Sequence, residues 1–457
     1  VEVVTIETPE LGDRSYLVHD GEIAVVVDPQ RDVDRIEAAA AAAGVRIAAV
    51  AETHIHNDYV TGGLALATRH EADYLVAAAD PVHFARRAVS DGDQIDFGRL
   101  RLRVIATPGH TPNHVSYAIG EGADPEVVCT GGSMLYGTVG RTDLIAPEHT
   151  EPLTRAQWRS VRRLAAELPA ATVVLPTHGF GSFCSSAPPS GAAESRIADE
   201  AAVNLACALD EEEFVRSLIA GLTPYPRYYA HMGRRNLAGP KPAVLDPPEI
   251  VDPEVLLKRI EAGEWVVDLR DRRAYARRHL EGTVGIELGS LFATYLGWVV
   301  PYDAAITLVG DSLDEVVAAR RQLVRIGVDE LAGAAVGGVD RLAEAGSGRL
   351  RLHDYPVVDF AGLAGALTSA PGRILDVRRD DEWVTGAIPG ALHIPIHDLL
   401  DRLDEVPDDR LYVHCAAGFR AAVGASLLHR VGRDVVLVDD DFSAAAPAGF
   451  EVVAPRL

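Results

Sequence analysis

The feature that most limits how this chain can fold is a repeat within its second half. Asp268-Leu269-Arg270 recurs as Asp376-Val377-Arg378, an offset of 108, and the segment 279–291 matches 387–399 at the same offset. Further on the offset falls to 105, pairing Gly327 with Gly432 and Asp329 with Asp434. Two copies of one α/β unit of about 100 residues account for this. Each copy reads strand, helix, strand, helix, which predicts a mainly parallel sheet covered by helices. The full 457 residues exceed a single hydrophobic core, so the sequence ahead of the repeat forms a domain of its own.

Composition narrows the function classes. With 48% hydrophobic and 24% charged residues the chain is globular. Its formal charge of −24 repels nucleic-acid phosphates and anionic membranes, so neither is an expected partner. No apolar run approaches the roughly 20 residues that span a bilayer. The sequence opens on strand-like alternation, Val1 to Ile6, so no signal peptide is expected. Cys129, Cys184, Cys207 and Cys415 lie far apart and form no C-x-x-C pair, which argues against a disulfide framework or a thiolate zinc site. That usage suits a cytoplasmic protein in which one cysteine acts as a reactive thiol.

Residues 1–240 alternate strand and helix signals. Ile23 to Val27 reads as a buried strand, Val33 to Ala43 as an Ala-rich helix closed by Gly44, and Val60 to His70 as a second helix. Five prolines between Gly239 and Pro253 predict an interdomain linker over 241–253. The two repeat copies then occupy 254–352 and 353–457.

In the second copy the apolar strand end Leu411 to His414 runs into Cys415-Ala416-Ala417-Gly418-Phe419-Arg420 and an Ala-rich helix. Strand, tight loop and helix let successive backbone N–H groups converge, and the helix N-terminus adds positive potential. Ala416, Ala417, Gly418 and Phe419 would form a cradle for a thiolate or persulfide on Cys415, and Arg420 would pair with an anionic donor. A phosphatase loop would need C-x-x-x-x-x-R, and Ala421 stands at that Arg position. The set resembles the rhodanese family, in which C-x-x-G-x-R follows a D-x-R strand end and an I-P-G-A segment; here those are Asp376-Val377-Arg378 and Ile388-Pro389-Gly390-Ala391. In the first copy the 105 offset puts Gly310 at the cysteine and Glu315 at the arginine. That copy is expected to be an inactive spacer.

The first domain carries three histidine loops, each after a strand. Thr53-His54-Ile55-His56-Asn57-Asp58-Tyr59 places His54, His56 and Asp58 on one side of an extended segment. Thr107-Pro108-Gly109-His110 and Pro176-Thr177-His178 each add an imidazole. The order resembles the metallo-β-lactamase superfamily, and Gly140-Arg141-Thr142-Asp143 is similar to the G-R-x-D segment of its glyoxalase II-like and persulfide dioxygenase branch. The whole chain looks like bacterial persulfide dioxygenase–rhodanese fusions. That resemblance implies an N-terminal αββα sandwich followed by two rhodanese-like α/β domains with parallel sheets. It also implies an iron(II) site that oxidises a persulfide with O₂ to sulfite and thiol.

The chain departs from the family pattern twice. H-x-H-x-D-H ends in Tyr59, and counting back from the G-R-x-D segment puts Gly132 where the metal-binding Asp belongs. An all-imidazole site is then expected, His54, His56 and His110 holding one Fe(II), or alternatively Zn(II), with Asp58, Tyr59, His178 and Cys184 near it. Cys184 is read as a persulfide-accepting thiol or as an inert buried cysteine. The leading expectation is persulfide oxidation at a mononuclear metal coupled to sulfane-sulfur transfer through Cys415. The small-molecule partners would be a low-molecular-weight persulfide or thiol and thiosulfate or sulfite, and a homo-oligomer is left open. The alternatives are a sulfane-sulfur carrier with a catalytically dead first module, and a glyoxalase II-like thioester hydrolase, which Tyr59 and Gly132 disfavour.

Overall fold

The computed structural model describes residues 1–187, 191–346 and 348–455. The chain folds as two compact units: Val1–Val244 with Leu323–Gly327, and the remainder from Leu245 onward.

The first unit holds two sheets face to face. One has six strands in sequential order; its first three are antiparallel and the rest, from Ile23–Val27 onward, are parallel. The other has five strands and ends with Val173–Pro176 parallel to Val127–Gly131. Side-chain alternation assigns the faces. Val25 and Val27 enter the core between the sheets with Leu102, Val104, Tyr117 and Cys129, whereas Ala24 and Val26 pack outward with the helix Asp34–Ala43. On the far side Ile105, Val128 and Val174 pack against the helix Pro147–Glu167. This is an αββα sandwich.

Two local differences from the sequence expectations bear on the site. The second helix starts at Gly63, because Thr61 is tied down: its N–H donates to Asn236 Oδ1 and its hydroxyl to Glu52 Oε1. The far end of the Pro-rich stretch is structured, since Asp252 caps the helix Pro253–Glu261 and the Val251 N–H donates to the Ala334 carbonyl.

The second unit contains two parallel sheets. One is ordered Val284–Gly285, Trp265–Asp268, Ile306–Gly310, Gly333–Val336; the other Val357–Val358, Val435–Val438, Leu411–His414, Arg373–Asp376, Leu392–His393. The same hydrogen bonds recur in both. Arg270 donates to Asp268 and to the Arg278 carbonyl, as Arg378 does to Asp376 and to the Gly386 carbonyl. The Leu269 N–H donates to Val309 and the Val377 N–H to His414, so Gly310 and Cys415 occupy equivalent strand ends.

Candidate metal centre and cysteine loop

Five imidazoles and four carboxylates, all buried, collect where the strands of the first unit end. His54 lies next to His56, His110, His114 and His178, with ring centroids 4.1, 4.8, 4.9 and 5.3 Å away. Around them are Asp13, Asp28, Glu52 and Asp58, none more than 2% exposed. Asp28, Glu52, Asp13 and His114 were not singled out by the sequence. Asp28 had a signal, since it follows the strand Ile23–Val27 as His54 follows Arg46–Ala51. Its φ of 50° is one of two positive values among described non-glycine residues.

Hydrogen bonds fix which nitrogens face the centre. Thr53 donates its hydroxyl to Asp28 Oδ2 at 2.7 Å, so its oxygen accepts from His54 Nδ1 at 2.8 Å. His110 Nδ1 donates to the Arg141 carbonyl at 2.7 Å, and His178 Nδ1 to Asp13 at 2.8 Å. Three Nε2 atoms are left. Those of His54 and His178 lie 3.4 Å apart, and that of His110 is buried without a hydrogen-bond partner. Nδ1 held by a protein acceptor and Nε2 turned inward is how proteins orient imidazole ligands, so these residues fit a divalent metal.

His56 behaves differently. Its Nε2 faces Glu52 at 3.2 Å, Asp28 at 3.3 Å and the Tyr59 hydroxyl at 3.0 Å. Donor atoms of His54, His56 and His178 still fall within 4.8 Å of one another, as do those of His110, His178 and Cys184. His178 belongs to both groups. His114 is satisfied at both nitrogens, by Thr107 and by the Gly132 N–H, and is not a ligand candidate.

Charge is balanced internally. Burial opposes ionisation of His56, but Asp28 and Glu52 outweigh it and raise its pKa to about 9. Burial is likewise overcome at His178 by Asp58 and Asp13, which keep it cationic. Burial holds His54 and His110 neutral, the latter down at about 3 with His178 adding to the effect. Cys184 is fully buried, and burial together with Asp58 and Asp13 pushes its thiol well up.

Gly132 follows the strand Val127–Gly131, its carbonyl accepting from the Gly140 N–H at 2.9 Å. The His110 ring fills the volume a side chain there would need: a Cβ at 132 would meet His110 Cδ2 at 2.2 Å.

In the second unit Cys415 is buried at the end of Leu411–His414, ahead of the helix Phe419–Arg430. Gly418 has φ +86°, and a Cβ there would meet Asp439 Oδ1 at 2.0 Å, so only glycine fits the loop. Asp439 is held by Arg272 at 2.7 Å and by Arg273. Arg420, expected to meet an anionic donor, forms a two-pronged pair with Glu382. Asp376 and Arg378 are likewise spent on each other. Tyr295 of the first copy packs its ring 5.3 Å from that of Phe419, so the first copy touches the loop.

The sequence model described as "Metallo-beta-lactamase superfamily" matches residues 10–178, and "Rhodanese-like domain" matches 361–446. "Persulfide dioxygenase ETHE1, mitochondrial" of Homo sapiens is 28% identical over 239 residues, 51% of this chain and 80% of that protein. Hydroxyacylglutathione hydrolase of Cereibacter sphaeroides is 33% identical over 39% of this chain and 67% of its own length. That of Acidiphilium cryptum is 41% identical over 25% of this chain, which spans about half of that relative, 48%. A solved metallo-beta-lactamase from Staphylococcus aureus subsp. aureus COL superposes with a TM-score of 0.65 at 28% identity, covering 73% of this chain and 98% of its own.

Proposed function

Because this chain belongs to the metallo-beta-lactamase superfamily through its N-terminal domain and carries a C-terminal rhodanese-like domain, we propose that it is a sulfur-metabolism enzyme with two chemical centres. One carries sulfane sulfur on Cys415. The other oxidises a low-molecular-weight persulfide, as the name of the human relative suggests, at a single metal, for which a reaction with O₂ favours Fe(II) over redox-inert Zn(II).

The observation that carries the first half is Cys415 at a strand end, followed by left-handed Gly418 and a helix N-terminus. In that place the Cys415 thiolate attacks the outer sulfur of thiosulfate. The S–S bond breaks, sulfite leaves with the electron pair, and a persulfide remains on Cys415 for an acceptor thiolate to take. Backbone N–H groups of the loop meet the negative charge. The Glu382–Arg420 pair holds the helix start, so Arg420 acts by positioning. Cys415→Ser is expected to abolish transfer from thiosulfate to cyanide or a thiol with folding intact; retained transfer overturns the assignment.

In the second half His54, His110 and His178 would hold the metal through Nε2, with His56 beside them. Bound iron(II) supplies the one-electron redox chemistry that O₂ requires. The protein's own part is to keep Nε2 of His54 and His110 unprotonated by burial, and to release the His178 proton as the metal enters. Enclosed by buried residues, the site would attract an anionic persulfide once it held a divalent ion. Anaerobically purified protein should contain about one iron per chain and consume O₂ only when persulfide is added.

One observation favours a second reading, a sulfane-sulfur carrier whose N-terminal domain is inert: His110 occupies the space of the missing carboxylate, while His56 and His178 are paired with acids. Protein that binds no metal at neutral pH supports it. A thioester hydrolase needs a second metal ligand at Tyr59, whose hydroxyl is spent on His56 and Asp28.

A further inference from the structure

The missing carboxylate raises a question of charge. Three neutral imidazoles leave a divalent ion with no anionic atom bonded to it, since Asp13 and Asp58 pair with His178 Nδ1 and offset its charge from behind that ring. No side chain at 132 can supply one while His110 stands where it does. Another anion source, Cys184, lies near His110.

We propose that Cys184 is a metal ligand, its thiolate taking the place of the carboxylate absent at Gly132, so that His54, His110, His178 and Cys184 form a tetrahedral N₃S site. This rests on the metal-centre reading above and goes beyond it in naming the anionic donor. Donor atoms of His110, His178 and Cys184 lie within 4.8 Å of one another, and His54 Nε2 is 3.4 Å from His178 Nε2. Ligand atoms around a tetrahedral ion with bonds near 2.0–2.3 Å are roughly 3.3–3.7 Å apart, so the His110–His178–Cys184 group would contract as the ion enters, with His178 shared between it and the His54 group. Independently, His110 Nε2 is a fully buried nitrogen with no hydrogen-bond partner, and His110 is one of the residues grouped with Cys184.

The backbone builds His110 and Cys184 as a pair. His110 Nδ1 donates to the Arg141 carbonyl at 2.7 Å, and the Arg141 N–H donates to the Cys184 carbonyl at 2.8 Å. One residue therefore fixes both candidate ligands. Its guanidinium is itself clamped by Asp143 and donates to the carbonyls of Phe183 and Thr223, which holds the turn carrying Cys184. On binding, the thiol proton leaves to solvent and the sulfur's lone pair enters the metal bond; a coordinating thiol is deprotonated outright.

The test uses the full chain carrying Cys415→Ser, so that the loop thiol adds no signal, loaded anaerobically with Co(II). The expected result is one Co(II) per chain with tetrahedral visible bands and a near-ultraviolet sulfur-to-cobalt charge-transfer band. Adding Cys184→Ser should remove that band and weaken binding by about tenfold or more. Circular dichroism is run on both variants to check the fold, and Cys184→Asp, which restores an anion, should recover affinity without the band. Cobalt bound without the band, with affinity unchanged in Cys184→Ser, overturns the ligand assignment and leaves the metal centre standing. Failure of the parent protein to bind Co(II) at all overturns both readings.

Discussion

The two halves of the repeat share a hydrogen-bonded frame and differ in one loop. In each, Asp-x-Arg closes on itself and the strand behind it feeds the next loop with the same bond, from Leu269 to Val309 and from Val377 to His414. In the second copy that loop holds Cys415 and an uncharged turn to the helix. In the first, Glu315 folds its carboxylate back onto the loop, accepting from the Asp311 N–H at 2.8 Å, and a Cβ at Gly310 would lie 2.9 Å from Glu315 Oε2. The first copy therefore supplies its own anion to the place where the second can receive one. The first copy thus differs from the second in more than the residue at the cysteine position: a carboxylate of its own accepts from its loop N–H.

The largest expected effect comes from trying to convert one copy into the other. In a Cys415→Ser background, Gly310→Cys should give no measurable sulfur transfer, because Glu315 repels an anionic donor and raises the new thiol's pKa. Activity appearing in that variant would show that the frame alone suffices. Restoration on adding Glu315→Arg would sharpen the comparison by assigning the block to that carboxylate.

A smaller effect concerns the glycines. Gly418→Ala must take a left-handed backbone and push against Asp439, whereas Gly310 has no such φ and its nearest neighbour would be the end of the Glu315 side chain, at 2.9 Å. Gly418→Ala should cost about 1–3 kcal/mol by urea unfolding and impair transfer. Gly310→Ala should stay within about 0.5 kcal/mol and leave transfer unchanged. Equal costs would mean that the two loops are not built differently.

Much of this was legible in the sequence because strand ends and spacing are local. The αββα sandwich, the parallel sheets of the repeat, the Cys415 loop and the gathering of His54, His110 and His178 all follow from what stands after which strand. Side-chain direction was not legible. His56 shares a loop with His54 and Asp58, yet it turns toward Asp28, 28 positions earlier, because a buried imidazole goes to the acids that pair with it. Arg420 looked available to a donor until Glu382, 38 residues away, claimed it. His110's use of the space over Gly132 depends on three loops packing together. Nor does any local pattern mark Asp13 or Glu52, whose roles exist only once other strands bring the histidines beside them.

The smallest effect is a pH dependence that opposes the two Asp-x-Arg pairs. Burial raises the pKa of both Asp268 and Asp376. At Asp376, His414 and Arg378 reverse this and hold it below the usual carboxylate range; burial keeps His414 itself neutral near pH 7, so Arg378 sets the balance there. At Asp268, Arg270 pulls the same way, but burial together with Asp311 of the acidic loop wins, and the pKa lies above normal. The position equivalent to Asp311 is Ala416. For Asp376 the folded value lies below the unfolded one, so its charge stabilises the fold above about pH 4, and this is lost as pH falls through the folded pKa. For Asp268 the sign inverts: the protonated form favours folding at low pH, and the gain is lost as pH rises through its folded pKa. Near neutrality Asp376→Asn should therefore cost about 1–3 kcal/mol, a difference from wild type that shrinks below about pH 4. Asp268→Asn should cost less than Asp376→Asn, and its stability relative to wild type should improve as pH rises. Urea midpoints for both variants between about pH 3 and pH 7 decide it. Parallel pH profiles would show that the acidic loop does not reach the pair beneath it, and that the two copies differ only where the cysteine stands.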